Sequence, residues 1–172
     1  FDQVVLACSP QEASRLVAGS GVGTAAAAQW VAQADALRFE AITTVYAMSA
    51  TVAQTPLAQP MLALRNTAAL PAQFVFDRGQ LGSPRGMLAF VISASEGDRA
   101  TVERQVCAQA AAQLGLQDVQ PLQTVVEKRA TFACTPGLQR PAMDVAPGLR
   151  ACGDYVEGPY PATLEGAVRS GG

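Results

Sequence analysis

The stretch Leu149-Arg150-Ala151-Cys152-Gly153-Asp154-Tyr155, followed by Gly158-Pro159-Tyr160-Pro161-Ala162-Thr163-Leu164-Glu165-Gly166-Ala167-Val168, decides how this sequence is read. Its first part predicts a short strand ending at a glycine, where a ligand can approach the backbone because no Cβ intervenes. An aspartate then follows at the carboxyl edge of the strand, the edge at which open α/β sheets bind ligands. From Pro161 onward, the spacing of Leu164, Ala167 and Val168 predicts a closing helix with one apolar face. The free N–H groups and dipole at the start of such a helix favour partial negative charge. Gly166 inside it costs about 1 kcal/mol relative to alanine and implies that something packs close against the backbone.

The opposite end of the chain has the same strand-then-helix form. Val4-Val5-Leu6-Ala7-Cys8 predicts a strand buried on both faces. Ser9 suits an N-cap, Pro10 the first helical position, and Glu12 completes a capping box. Ala13, Leu16 and Val17 carry the helical spacing. The glycine run 19–23 follows a helix instead of joining a strand to one, so it reads as a linker and not as a phosphate-binding loop. A second helix is expected over 25–36, with Trp30 on its apolar side.

Between these ends the pattern changes. A strand is expected over 39–48 and two hairpin-paired strands over 73–77 and 87–93. Ser95 and Asp98 offer caps for a helix that repeats Val102, Val106, Ala110 and Leu114 and stops at Gly115. A strand with a charged centre follows over 124–132, then a long Pro- and Gly-marked loop over 136–148. Segment 52–71 combines Pro56, Pro60 and Pro71 with Leu57, Met61, Leu62 and Leu64. It reads either as an irregular connection packed on the core or as the rim of an apolar pocket. Middle strands without alternating helices suggest an α+β insert between two pieces of an α/β domain. The expected divisions are 1–35, 36–148 and 149–172.

Composition narrows the chemistry. The 172 residues carry a net charge of −2 and are 15% charged and 49% hydrophobic, which speaks against a nucleic-acid partner and against a disordered chain. There is no histidine, so Ser-His-Asp and Cys-His catalysis and His-ligated metals are excluded within this chain. Cys8, Cys107, Cys134 and Cys152 form no CxxC pair, and no metal site is expected. They read as free thiols of a reducing cytoplasm. No apolar run approaches the roughly 18–20 residues of a membrane-spanning helix, and no signal peptide is evident. The chain opens at Phe1 in a strand-like run and stops at Ser170-Gly171-Gly172, so both ends read as cut from something longer.

The terminal motif resembles the C-terminal signature of FAD-dependent amine oxidases and isoprenoid desaturases: a hydrophobic strand, Gly-Asp, a short loop, and a helix bearing Glu-Gly-Ala. Phe1-Asp2-Gln3-Val4-Val5-Leu6-Ala7-Cys8-Ser9-Pro10 looks like the strand and turn beside the last flavin-domain strand of those enzymes. Phe74-Val75-Phe76-Asp77-Arg78-Gly79, Val91-Ile92-Ser93-Ala94-Ser95 and Glu127-Lys128-Arg129-Ala130-Thr131-Phe132, with the segment from Tyr160 to Gly171, narrow the likeness to squalene-associated FAD-dependent desaturases, the hydroxysqualene dehydroxylases of hopanoid synthesis. The resemblance implies an α+β fold: a mixed or antiparallel substrate-domain sheet with flanking helices, plus terminal βα pieces of an FAD-binding α/β domain. It implies FAD as cofactor, with Gly153 and Asp154 at the pyrophosphate and ribityl chain, Thr163 at the flavin face, and the Leu164 N–H toward the pyrimidine edge. It implies an apolar isoprenoid substrate, entering near 52–71, and a cytoplasmic parent that can also sit peripherally on the inner membrane.

Three departures qualify that likeness. Thr163 stands where amine oxidases often have an aromatic residue. Thr43 stands near the place of their active-site lysine, while Lys128, the single lysine, lies in another strand; amine oxidation is the alternative this disfavours. No Gly-x-Gly-x-x-Gly element is present to hold the ADP half, so the FAD site is incomplete and the isolated chain is expected to be inactive and to bind FAD weakly or not at all. No catalytic residue is assigned: Asp77, Glu127 and Asp154 lie near strand ends, and each reads as structural or cofactor-positioning. A further alternative is an idle domain that self-associates as a homodimer through an open sheet edge.

Overall fold

The computed structural model describes residues 1–94 and 97–172. The expected cap at Ser95 lies outside them. The chain divides into two compact units, Phe1–Phe39 with Thr131–Gly172, and Glu40–Ala130. The first unit takes in residues 131–148, which the sequence reading grouped with the central piece. The reason is a strand that reading missed: β7 (Asp144–Ala146) pairs antiparallel with β8 (Leu149–Ala151). Three residues flanked by prolines are too few to show an alternating pattern.

In the first unit β8 is the middle strand, with β1 (Val4–Leu6) parallel on its other side in the register Val4↔Leu149, Val5↔Arg150, Leu6↔Ala151. Helix α1 (Pro10–Gly19) follows, with Ser9 as N-cap accepting the Glu12 N–H and Pro10 at its start. The capping box is only half formed, because the Glu12 carboxylate turns to Arg15 instead. Thr24 caps α2 (Ala25–Asp35), which buries Trp30 to 3% exposure and satisfies its indole with a 2.7 Å bond to the Ala142 carbonyl. Ala13, Val17, Trp30, Phe132, Val145, Ala151 and Tyr155 form the core of this unit.

The expectation that the first strand is buried on both faces is overturned: Val4 and Val5 are 47% and 55% exposed. β1 is an outer strand of its three-stranded sheet, with nothing laid over these two side chains. An apolar run specifies what a strand can bury, and the neighbours supply the burial.

The second unit holds a five-stranded sheet in the order β3 (Met61–Ala63), β4 (Phe74–Asp77), β5 (Met87–Ser93), β2 (Phe39–Met48), β6 (Gln120–Phe132). The expected antiparallel pairing of β4 with β5 is present, from Phe74↔Val91 to Asp77↔Leu88. β5 is also paired with β2, from Ile42↔Ser93 to Met48↔Met87. Paired on both sides, it buries Leu88, Ala89, Phe90 and Ile92. Helix α4 (Arg99–Leu114), capped by Asp98 and ended by Gly115 at φ 70°, contributes Val102, Val106 and Ala110 to the core. Segment 52–71 is less irregular than expected: it contains part of α3 (Ala50–Gln54) and all of β3, and Leu57, Leu62 and Leu64 pack on the core. The architecture is therefore α+β, with a mixed sheet in one unit, antiparallel pairing of β3 with β4, β4 with β5 and β5 with β2 in the other, and flanking helices.

Candidate functional site

The candidate site is built where β8 ends. Cys152 donates its N–H to the Leu6 carbonyl at 3.0 Å, the last rung between β8 and β1. Gly153 then donates its N–H to the Ser170 hydroxyl at 2.9 Å, which ties this turn to the end of α5 (Leu164–Ser170). A Cβ on Gly153 would lie 2.6 Å from Cε1 of Tyr155, so the space that glycine leaves is filled by that ring. The sequence alone implies room for a ligand at this glycine; its first occupant is the chain itself.

Asp154 and Tyr155 carry the polar groups of the turn. Burial holds the Asp154 carboxyl above its ordinary value, while a backbone hydrogen bond and the charge of Arg140 pull the other way. Tyr155 is 2% exposed, and its hydroxyl has no hydrogen-bond partner among the described residues. Burial also raises its pKa, so the phenol stays protonated. A buried hydroxyl without a partner costs roughly 1–3 kcal/mol. The half-buried Asp154 carboxyl, raised in pKa by burial, stands next to it in the chain at the end of the strand.

The loop to α5 is held in sparsely populated backbone conformations. Tyr160 and Ala162 have φ of 58° and 56°, unusual for residues with side chains. Three sets of contacts hold it. Arg140 donates to the carbonyls of Val156, at 2.7 Å, and Gly158. Ala162 N–H reaches the Asp154 carbonyl at 3.2 Å. Thr163 donates its hydroxyl to the Tyr160 carbonyl at 2.7 Å and, as N-cap, accepts the Gly166 N–H at 3.0 Å. A Cβ on Gly166 would lie 2.3 Å from the Tyr160 carbonyl oxygen, so the close packing expected at that glycine comes from this loop.

Gly153, Asp154, Thr163 and Leu164 are thus parts of one strand–turn–loop–helix assembly in the first unit. The expected apolar face of the closing helix is not covered: Leu164 and Val168 are 87% and 74% exposed, and only Gly166 is buried. The helix also starts three residues later than Pro161, because Thr163 is the capping residue. Tyr155, Arg140 and Ser170 are functional candidates that sequence reasoning missed. Tyr155 adjoins the Gly-Asp pair and was visible on that ground; Arg140 and Ser170 act through contacts that no spacing announces.

The other carboxylates singled out are engaged structurally. Asp77, 1% exposed, accepts from the N–H groups of Leu57 and Gly79 at 3.1 and 3.0 Å and from the Gln80 amide at 2.9 Å. Glu127 accepts the Arg129 N–H. Thr43 is 3% exposed within β2, and Lys128 lies on an exposed stretch of β6. No group of three or more His, Cys, Asp or Glu side chains able to hold a metal occurs among the described residues. No helix described is long and apolar enough to cross a membrane.

The fold that these units define is found in solved oxidoreductase structures. An oxidoreductase from Methanosarcina mazei is similar over 97% of this chain and 41% of its own, with TM-score 0.67 and 14% identity. The protein named "Putative protoporphyrinogen oxidase" from Exiguobacterium sp. 255-15 is similar over 98% of this chain and 39% of its own, with TM-score 0.60 and 12% identity. The chain spans about two fifths of the length of either. No family model and no curated protein matches the sequence.

Proposed function

We propose that this chain is part of an FAD-dependent oxidoreductase of the flavin amine oxidase type. The observation that carries the reading is the assembly at the end of β8, where Asp154 and an unpartnered, buried Tyr155 hydroxyl lie on the same turn as the Gly-Asp signature. The fold likeness to an oxidoreductase supports it. The residues fit the cofactor in part: Asp154 would accept from hydroxyls of its ribityl chain, and the start of α5, with Leu164 open to solvent, would meet its ring, whereas the Gly153 N–H is already given to Ser170. When bound, FAD supplies hydride transfer, and the protein supplies orientation and an apolar surround. Arg140 and Thr163 hold the loop that carries these groups, and Ser170 holds the turn.

The substrate we propose is an apolar isoprenoid, hydroxysqualene, which loses its hydroxyl to give squalene in hopanoid synthesis. The sequence likeness to squalene-associated desaturases supports this choice. So does Thr43 at the position near which amine oxidases carry lysine, since Thr43 offers no amine to order a water. No Gly-x-Gly-x-x-Gly element occurs in the sequence, and on that ground we propose that the chain holds only part of the dinucleotide site and is inactive by itself.

An amide NMR titration of the chain with FAD tests the site. The expected result is weak binding with shifts concentrated at Gly153, Asp154, Thr163 and Leu164, and a bare protein spectrum after desalting. Shifts centred elsewhere would remove the site. Flavin absorbance that survives desalting would remove the partial-site reading. With the site upheld, a polypeptide joining this chain to a dinucleotide-binding unit should turn hydroxysqualene into squalene. Oxidation of amines in its place would transfer the assignment to an amine oxidase.

A further inference from the structure

The charges of this chain are unevenly spread. It has 14 acidic and 12 basic residues in all, yet residues 49–94 hold three arginines, Arg65, Arg78 and Arg85, against a single acid, Asp77. Asp77 gives that stretch no outward negative charge. It is 1% exposed and accepts from the N–H groups of Leu57 and Gly79 and from the Gln80 amide. Its neighbour Arg78 is left without a counter-charge: Nε of Arg78 is buried with no partner, and neither Arg78 nor Arg85 forms an ion pair among the described residues. Asp118, which meets the end of β2 through the Ser49 hydroxyl at 2.9 Å, also accepts the Thr51 N–H at 2.8 Å.

Arg78 and Arg85 stand at the two feet of the turn that joins β4 to β5. The turn is tightly closed. The Ser83 N–H donates to the Arg78 carbonyl at 2.9 Å, and a Cβ on Gly79 would lie 3.1 Å from Cα of Arg85. Between the arginines Leu81 is 50% exposed, and Gln80, Gly82 and Pro84 are exposed with it. The Asp77 N–H donates to the Pro60 carbonyl and the Gln80 amide to the Leu57 carbonyl, each at 2.9 Å. These bonds, and the pairing of Met61 with Phe76, bring Met61, 51% exposed, to the same end of the sheet.

We propose that this end of the sheet is a contact surface for an anionic lipid bilayer, with Leu81 and Met61 entering the headgroup layer and Arg78 and Arg85 held at lipid phosphates. Apolar side chains flanked by cations are the pattern of interfacial binding: the apolar groups leave water, and long basic side chains reach the phosphates around them. A soluble anion or a nucleic acid would use the arginines and leave the exposed Leu81 and Met61 without a role. The contact is small, so it is reversible, and it stands apart from the FAD reading.

Co-sedimentation of the whole chain with vesicles tests the surface. Phosphatidylcholine alone is compared with an equal mixture of phosphatidylcholine and phosphatidylglycerol, at low and high salt. The expected result is binding to the mixed vesicles that salt releases, and none to phosphatidylcholine alone. Arg78→Gln and Arg85→Gln should each weaken binding about fivefold, the factor that one arginine contributes at an anionic surface. Leu81→Asp should weaken it about tenfold or more, because an apolar side chain is then lost from the headgroup layer. Arg129→Gln, which removes an exposed arginine of β6, should leave binding nearly unchanged. Leu81 and Arg85 are exposed, so their variants test the surface even where Arg78→Gln disturbs the fold, and circular dichroism verifies each one. Binding to both kinds of vesicle alike, or to neither, would overturn the proposal. So would binding indifferent to Leu81→Asp or to Arg85→Gln, which would lie on another surface. An equal loss in Arg129→Gln would show that net charge alone drives the contact and would overturn it as well.

Discussion

Gly153 sits where three requirements meet: a strand must end, an N–H must reach Ser170, and the Tyr155 ring must pass within 2.6 Å of where a Cβ would be. Alanine there would push the ring out of a core it nearly fills, since Tyr155 is 2% exposed. Overpacking of this kind costs about 1–3 kcal/mol. Gly153→Ala should therefore lower the unfolding free energy measured in urea by that amount, with a lower midpoint, and make the Tyr155 hydroxyl accessible, which near-ultraviolet circular dichroism would report. An unchanged midpoint and spectrum would mean that the ring can move freely. The adjacent Asp154 obeys a different rule. Its carboxyl is raised by burial, so its charged form is the disfavoured one in the folded chain. Stability that it contributes is present at low pH and falls as pH rises past the ordinary aspartate range.

Among the elements, α4 shows most plainly how a polar residue can belong to a core. Gln109 is fully buried, and its amide spans both the N–H and the C=O of Ala72, each at 2.8 Å. Val102, Val106 and Ala110 were legible as the core face from their spacing, as were the Asp98 cap and the Gly115 stop. Gln109 was not, because glutamine at that position has the same helical spacing whether it meets solvent or a strand end. Gln109→Leu keeps the volume but leaves two backbone groups of Ala72 unpaired, and should cost at least about 2 kcal/mol in urea unfolding. A loss within error would mean that water replaces the amide. The strands were legible in the same partial way. Ten residues of β2 and seven of β5 follow the expected boundaries, while β3 and β7 escaped because each lies in a proline-marked segment that reads as irregular.

Across the whole molecule, two cores form from interleaved sequence: the first unit takes both chain ends, the second takes the middle. The four cysteines are free and unequally placed. Cys134 is exposed, whereas Cys8 and Cys107 are partly buried and burial raises their pKa values, which keeps them as thiols. Alkylation followed by mass spectrometry should therefore modify Cys134 first and Cys8 and Cys107 last. Uniform rates would show that the units open readily.

The sequence by itself determined what depends on neighbours along the chain. The caps at Ser9, Thr24 and Asp98, the stop at Gly115, the long strands and the Gly-Asp turn all follow from local sterics and hydrogen bonding. The tertiary structure alone decided which apolar faces are covered. Val4, Val5, Leu164 and Val168 have the side chains of a core and remain exposed, because burial requires a second surface and no local pattern encodes one. It also decided that Tyr155, Arg140 and Ser170 join the candidate site, since contacts between residues far apart in sequence arise only once the strands and helices have packed.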